Sequence, residues 1–362
     1  LLSKMTGACA RFYLVCLILQ QFVFERFGVP FIVTVLIILV LVWLYTRRAG
    51  IRTLVYTDSL QTLCMLTALV VVIVLVMGKM NLDWGALCQT VSESEYSRIF
   101  VWDDWMSKQS FWKQFLSGVF VAIVMTGLDQ DMMQKNLTCK NLREAQKDMC
   151  TYGVCFIPVN FLFLVLGVLL YTFAAGQGID VPAKTDQLFP MLVQEGWFGY
   201  GVTVLFVLGI AAAAFSSVDS ALTALTTSFC IDILDIEKKQ LDEVRATRIR
   251  RRVHIAVVFV FVIFTLIFKA LNSTSVIDAI YIMASYTYGP LLGLFAFGLF
   301  TRKMPRDRFI PVVCVLSPVI CYALSVIVPQ YTGYQFGYEL LMLNGLLTFA
   351  ALWGLSLRHR TA

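Results

Sequence analysis

The chain has 362 residues, of which 59% are hydrophobic and only 14% are charged. Long apolar runs recur from one end to the other, which predicts a polytopic membrane protein and excludes a soluble globular domain. The formal net charge of +6 requires no nucleic-acid partner, because the basic run at residues 245–252 has no aromatic residues between its arginines.

Ten apolar segments are long enough to cross a bilayer as helices, so the sequence predicts an all-α integral membrane protein. The sixth exceeds the thickness of the hydrocarbon core, and part of it should project into the cytoplasm. In chain order the predicted spans are residues 6–24, 29–45, 54–77, 112–133, 150–174, 198–234, 253–271, 276–300, 309–328 and 336–357.

We interpret residues 1–362 as a single transmembrane domain with two notable connections. Residues 78–111 form a predicted extracellular loop, which either contains an interfacial helix or is an ordinary interface belt of Trp84, Trp102 and Trp105. The belt is the favoured interpretation, because tryptophan gathers at the headgroup level whatever the function. Residues 235–252 form a predicted basic cytoplasmic loop.

Most of the 29 lysines and arginines fall on one set of alternate loops and on the two ends of the chain. The positive-inside rule therefore predicts a multi-pass protein of the cell membrane with both ends in the cytoplasm. Enzymatic motifs such as H-E-x-x-H, a P-loop and G-x-S-x-G do not occur in the sequence, and we expect no enzyme activity.

The most informative stretch is residues 211–220, AAAAFSSVDS, which carries hydroxyls and a carboxylate inside an apolar span. Ala213, Ser216, Ser217 and Ser220 lie at i, i+3, i+4 and i+7, on one helical face. Such oxygens in a membrane predict a site for a small hard cation. An aspartyl dyad of Asp58 and Asp219 is the alternative, and it is disfavoured because the clustered hydroxyls are more typical of ligands than of acid/base groups.

Five segments carry a resemblance: YTDSLQT at 56–62, GLDQDMMQK at 127–135, AAFSSVDS at 213–220, CIDIL at 230–234 and GLFTRK at 298–303. Together they resemble the sodium/solute symporter family, and their order and spacing fit across nearly the whole chain. The resemblance implies an inverted-repeat fold of the leucine-transporter type, with sites near the midplane beside broken helices. It also implies about three further helices before Leu1, which would be needed to complete the sites; the chain has no initiator methionine there.

The resemblance implies two cation sites. The main sodium site would use the Ala213 carbonyl with Ser216 and Ser217. The second would use Asp58, Asp219 and Ser220, and here Asp219 departs from the small or hydroxyl residue usual in the family. That extra charge either tightens sodium binding or leaves one carboxyl protonated.

The depth of the second site in the membrane can be estimated from helix spacing alone, independently of the family resemblance. Asp58 lies roughly 9 Å beyond the cytoplasmic Arg52, and Asp219 lies one turn cytoplasmic of the serine pair, so both carboxylates belong to the inner half of the membrane. The alternative role for Asp58 is that of a helix N-cap, since T-D-S before an apolar run also has that signature.

The substrate candidates are Arg11, Ala122, Met125 and Tyr281. Arg11 resembles an arginine that engages the substrate carboxylate in sialic-acid-transporting relatives; its alternative is snorkelling to the interface. Ala122 and Met125 align with the asparagine and gating tyrosine of sugar-transporting members, which counts against a close copy of the galactose site. Tyr281 either lines a cavity or is simply packed.

The sequence thus predicts sodium-coupled symport of a small polar organic solute across the cytoplasmic membrane, with a carboxylated sugar such as sialic acid as one candidate. The expected ligands are sodium ion and that solute, in contact with the lipid bilayer. A transport-like membrane sensor and a proton-coupled carrier are the alternatives. A channel is disfavoured, because no sequence typical of a selectivity filter is evident.

Overall fold

The computed structural model describes residues 1–46, 51–183, 185–236, 238–239, 242–271 and 276–357. Within them, every regular element is helical. We number the α-helices in chain order: α1 (Leu2–Leu19), α2 (Phe31–Thr46), α3 (Ile51–Lys79), α4 (Trp84–Glu93), α5 (Phe111–Ala122), α6 (Gln130–Leu137), α7 (Leu142–Gln177), α8 (Leu188–Gln194), α9 (Gly199–Ser228), α10 (Glu243–Leu271), α11 (Val276–Thr287), α12 (Gly289–Phe300), α13 (Ile310–Thr332) and α14 (Leu340–Leu357).

Helices lie in all ten segments that the sequence marked as spans. Six helical stretches of the described residues are long and apolar enough to cross a membrane, and the bent pair α11 and α12 makes seven if it is one span. The other three, α2, α5 and α14, are shorter apolar helices. The all-α membrane fold is therefore confirmed, and six or seven helical stretches of the described residues reach the length of a full span.

Two helices begin well before their predicted spans. α7 begins at Leu142 and α10 at Glu243, whereas hydropathy placed their starts near residues 150 and 253. Hydropathy detects only the part of a helix that lies in lipid, while Arg, Glu, Lys and Ala continue a helix readily into water. As a result, the basic stretch at 243–252 is part of α10 and not a loop.

The chain divides into two compact units. One comprises Leu1, Ala8–Arg98 and Thr138–Val276; the other comprises Leu2–Gly7, Ile99–Leu137 and Ile277–Ala362. In the first unit, α3, α7 and α9 pack around an apolar core whose fully buried members include Val72, Leu169 and Phe173. α4 also contacts α7, and Asp83 caps α4 through the Ala86 amide at 2.7 Å.

The second unit contains a broken helix, with a bend of 45° between α11 and α12. A break frees main-chain carbonyls that hydrocarbon cannot hydrogen-bond. The buried Asn344 of α14 supplies the missing hydrogen bonds, because its Nδ2 donates to the carbonyls of Ser285 and Tyr286 at 3.0 Å each. Ser317 Oγ in turn donates to Asn344 Oδ1 at 2.7 Å and so fixes the amide.

Glycine allows α12 and α14 to come into close contact. A Cβ at Gly293 would lie 2.6 Å from the Gly345 carbonyl oxygen and 2.6 Å from Thr348 Cβ. Both distances are far below van der Waals contact, so no larger residue fits without separating the helices. Close approach at small residues is a common source of helix association in membranes.

We therefore expect Gly293→Ala to destabilise the protein by about 1–3 kcal/mol, the usual cost of forced overpacking. Gly298→Ala on the same helix is the matched control, since a Cβ there meets nothing within 4 Å. The measurement is thermal unfolding in detergent. Equal melting temperatures for the two variants would show that α12 and α14 are not held together at Gly293.

Candidate functional site

The polar face of α9 is the centre of the candidate cation site. Asp219 is fully buried and Ser220 nearly so, while Ser216 and Ser217 are half-buried. Ala213 lies on the same helix, which runs without a break from Gly199 to Ser228. Because helical carbonyls already accept a main-chain bond, the Ala213 oxygen can serve a cation only as a shared ligand.

The hydroxyls of this face differ in how far they are engaged. Ser220 Oγ donates to the Ser216 carbonyl at 2.9 Å, and Thr223 Oγ1 lies 3.5 Å from Asp219 Oδ1. In the described part of the chain, the Ser216 and Ser217 hydroxyls form no hydrogen bond with another residue. Their oxygen lone pairs therefore remain available to a cation.

Asp58 lies inside α3, which begins at Ile51, so its alternative role as an N-cap is wrong. The side chain is half-buried, and its Oδ1 is shielded from solvent, as is Oδ2 of Asp219. Thr62 Oγ1 donates to the Asp58 carbonyl at 2.8 Å, one turn further along the helix. The carboxylate of Asp58 thus projects from a continuous helix.

The packing of α3 against α9 brings Asp58 to the depth of the serine pair. The last turns of α3 and the first turns of α9 share one apolar cluster, which includes Ile73 and Val202, so the two helices run antiparallel. Asp58 precedes Ile73 by about four turns, and Ser217 follows Val202 by about four turns. Both therefore lie at about the same level of the first unit.

This arrangement supplies oxygen atoms only: two carboxylates, three serine hydroxyls and a carbonyl. Oxygen donors suit hard cations, whereas transition metals prefer nitrogen and sulfur. A shielded carboxylate in an apolar unit needs a cation, a proton or hydrogen-bond donors to compensate it. The face can thus hold a small cation, and it can alternatively share a proton.

Three of the four substrate candidates lie in the second unit. Ala122 is the exposed last residue of α5, and Met125 follows it in a π-helical turn, Ile123–Gly127. Met125 packs against a cluster that contains Ala284 of α11, one turn beyond Tyr281. The end of α5, the π-helical turn that follows it and α11 thus carry the three candidates.

The tyrosines of α11 and the one that follows it, Tyr288, differ in their surroundings. Tyr281 is half-buried, with its ring 4.9 Å from that of Tyr338, whose hydroxyl donates to Asp278. Tyr286 points to α13 and shares a hydrogen bond of 3.1 Å with Ser325. Tyr288 is buried in the core, so of the three it is plainly a packing residue.

Arg11 belongs to the first unit, at the middle of α1. Its side chain is exposed, whereas Cys9, Ala10 and Phe12 around it are buried. The guanidinium therefore lies on a different face of α1 from the packed residues, which is compatible with either of its proposed roles.

Sequence reasoning missed an ion pair in the second unit. Lys4 donates to both carboxylate oxygens of Asp129, at 2.8 and 3.0 Å, and the two side chains are only 15% and 9% exposed. By the charge pattern alone, Lys4 is one of the basic residues at the ends of the chain that the positive-inside rule places in the cytoplasm. The sequence does show that each residue lies at the end of an apolar run, where a charge could be partly buried. It cannot show that the two pair, because they are 125 residues apart and only the fold brings them together.

Comparisons with known proteins agree on one family. A model of the sodium:solute symporter family matches residues 18–307. The sodium/sialic acid symporter NanT of Aliivibrio fischeri is 24% identical over 314 residues, which cover 85% of this chain and 61% of that protein. The human sodium/iodide cotransporter is 25% identical over 268 residues, covering 71% of this chain and 40% of that one.

A second sodium/sialic acid symporter, SiaT of Proteus mirabilis, is 22% identical and is matched over 58% of its length. This chain therefore spans about three fifths of each sialic acid symporter. A solved structure of a Na⁺-coupled sialic acid symporter, substrate-bound and outward-open, aligns with a TM-score of 0.75 over 97% of this chain and 72% of its own, at 20% identity. At that identity the likeness establishes the fold.

The Lys4–Asp129 pair gives a testable expectation. Lys4→Met should destabilise the second unit by about 3 kcal/mol, because it leaves a largely buried carboxylate without its ammonium partner. The double variant Lys4→Met/Asp129→Leu should cost less than the sum of the single ones. A double-mutant cycle of unfolding in mixed micelles measures this coupling.

The exposed pair Lys238–Asp235, at 2.9 Å, is the matched control, and its coupling should be under about 1 kcal/mol. Additive effects at Lys4 and Asp129 would contradict the ion pair as a stabilising contact.

Proposed function

This chain belongs to the sodium:solute symporter family, and from that membership we propose that it couples sodium movement to the uptake of a small polar organic solute. The observation that carries the proposal is the buried oxygen-rich face of α9 at the depth of Asp58. The family is one of membrane transporters, which agrees with the absence of enzymatic motifs from the sequence. The bias of basic residues supports an orientation with both ends in the cytoplasm.

We assign the main sodium site to the Ala213 carbonyl, Ser216 and Ser217. The half-buried, unengaged serine hydroxyls support this assignment, because they can turn towards an ion without breaking another bond. The cation would lie against an unbroken helix, so further ligands must come from elsewhere in the protein. Sodium needs several oxygens to replace its water shell, and three atoms on one helix face cannot enclose it.

We assign a second cation site to Asp58, Asp219 and Ser220. A cation between α3 and α9 would neutralise carboxylates that are costly to keep ionised in an apolar unit. The related sialic acid symporter of known structure was described as revealing a novel Na⁺ site. In this chain a proton is the competing occupant, because Asp219 is completely buried.

Coupling follows from linkage: if cation and solute both favour one conformation, each raises the affinity for the other. A cation that contacts both α3 and α9 would hold two helices of the first unit together. Its free energy of binding is then available to bias a conformational change.

For the solute we propose a small carboxylate-bearing molecule such as a sialic acid. Two relatives are named sodium/sialic acid symporters, and the exposed Arg11 is the residue proposed to bind the solute carboxylate. A guanidinium suits the planar carboxylate because it donates two parallel hydrogen bonds. Ala122, Met125 and Tyr281 are proposed to line the remainder of the solute site.

The cation assignment predicts distinct sodium dependences in proteoliposomes. Asp58→Asn and Asp219→Asn should each lower the Hill coefficient for sodium towards one, because each removes a ligand of one of two coupled ions. Ser217→Ala should abolish sodium-dependent uptake. Uptake of labelled sialic acid, titrated with sodium at two pH values, measures all three.

Two substitutions on the same helix serve as controls. Asp232→Asn removes an exposed charge near the end of α9, and Thr203→Val removes a hydroxyl that donates to the Gly199 carbonyl. Both should leave the Hill coefficient unchanged. If Asp219→Asn is silent at neutral pH and flattens the pH dependence of uptake, Asp219 carries a proton and the carrier is partly proton-coupled. An unchanged Hill coefficient in both aspartate variants rules out the second site.

The solute assignment predicts that Arg11→Ala weakens the binding of acidic solutes by about 2–5 kcal/mol, since their carboxylate loses its charged partner. Arg11→Lys should fail similarly, because an ammonium cannot reproduce the two parallel bonds. Sodium affinity should be spared in both. The test is competition by a panel of acidic and neutral sugars, and equal affinities of wild type and variants for every solute would refute the role of Arg11.

A further inference from the structure

A cavity of about 430 Å³ lies in the first unit, between α2, α9 and α10. Its lining combines Arg250, Arg251 and His254 of α10 with threonines of α9 and α10 and with Trp43 of α2. The cavity belongs neither to the candidate cation site nor to the substrate candidates. It begins one turn beyond Asp219, at Thr223.

The charge of the lining selects an anion. Two guanidinium groups face the same space, and none of the lining residues that the structure describes is acidic. Among the described residues, neither Arg250 nor Arg251 forms an ion pair. Such forked donors bind phosphate oxygens in pairs, so the preferred ligand group is a phosphate.

Hydroxyl groups complete the donor set. Thr226 Oγ1 donates to the Leu222 carbonyl at 2.6 Å and lies 3.1 Å from His254 Nδ1. Because the single hydroxyl hydrogen is already used, Nδ1 carries the hydrogen of this contact. His254 is thereby fixed, and its Nε2 is an acceptor in the neutral ring, so it can accept a hydrogen bond from a headgroup hydroxyl but does not donate to the phosphate. Thr227 and Thr247 add two further hydroxyls to the lining.

The surroundings favour a phosphate that is attached to apolar chains. Continuing from Arg251 at intervals of four residues, α10 exposes Ile255, Phe259, Ile263 and Ile267 along one face. On α2, which neighbours α10, Leu44, Val40, Leu36 and Ile32 form a second exposed row that ends beside Trp43. Free phosphate would make no use of these rows, whereas acyl chains would cover them.

We propose that this cavity binds the phosphate headgroup of an anionic phospholipid from the inner leaflet, with Arg250 and Arg251 as its main ligands. The acyl chains lie along the exposed rows of α10 and α2. The orientation comes from the proposed function, since it places the start of α10 on the cytoplasmic side; the binding itself is independent of transport. The indole of Trp43 is at the level where headgroups meet acyl chains.

The test uses the purified protein in a neutral detergent, with dihexanoyl phosphatidylglycerol, dihexanoyl phosphatidylcholine and inorganic phosphate as probes. We expect phosphatidylglycerol to raise the melting temperature in a saturable manner and the other two to have little effect. Arg250→Gln/Arg251→Gln should weaken apparent lipid affinity at least about tenfold, because two charge-assisted contacts are lost. Thr227→Val, which keeps every charge, should weaken it a few-fold.

Arg245→Gln/Arg248→Gln is the matched control, since it removes the same charge from exposed positions of the same helix that do not line the cavity. It should retain the affinity of the wild type. Equal losses in both double variants would overturn the proposal in favour of general attraction to a basic surface. A full effect of inorganic phosphate, with no further gain from the lipid, would overturn the lipid assignment. If the protein binds the lipid but shows no sodium-dependent uptake, the proposed function is contradicted while the lipid site stands.

Discussion

The central constraint on this protein is that a charge or an unpaired polar atom costs free energy when it is buried away from water. Asp219 is completely buried on a helix of an apolar unit, where an ionised carboxylate is expensive unless a cation, a proton or hydrogen bonds compensate it. The surroundings reflect that cost. Thr223 approaches one oxygen, the serines supply hydroxyls on the same face, and α3 brings Asp58 to the same depth. The proposed cation site would use all of these groups.

The same constraint explains the break between α11 and α12. An interrupted helix exposes carbonyls that lipid cannot satisfy, and such a break persists only where another helix supplies donors. Asn344 does this with a single amide, which Ser317 holds in place. The close approach of α12 and α14 at Gly293 therefore helps to stabilise the break, because a wider gap would move the Asn344 amide out of hydrogen-bond reach of the freed carbonyls.

α9 connects two sites of opposite charge preference. Its middle presents oxygens suited to a cation, while its last turns line the arginine-containing cavity suited to a phosphate. Thr223 lies between them, with its hydroxyl close to Asp219 and its position on the cavity wall. An anion bound at Arg250 and Arg251 would therefore be only a few turns from the cation ligands, at a distance where charges in an apolar medium still interact.

The sequence by itself determined the membrane class, the positions of the helices and the face of α9 that carries Ser216, Ser217 and Ser220. These follow from local rules, namely the length of apolar runs and the 3.6-residue period, which need no partner segment. It misjudged the starts of α7 and α10, since hydropathy is silent about helices that continue into water. It also left open whether Asp58 caps a helix.

Only the tertiary structure showed that Asp58 lies inside a helix and does not cap one. It also gave the depth of Asp58 beside α9, the pairing of Lys4 with Asp129 and the hydrogen bonds of the Asn344 amide at the break. It alone revealed the cavity at Arg250 and Arg251, which the sequence shows merely as part of a basic run. Each of these depends on side chains far apart in the chain meeting across packed helices. Periodicity fixes which way a residue faces on its own helix, whereas packing fixes what it faces.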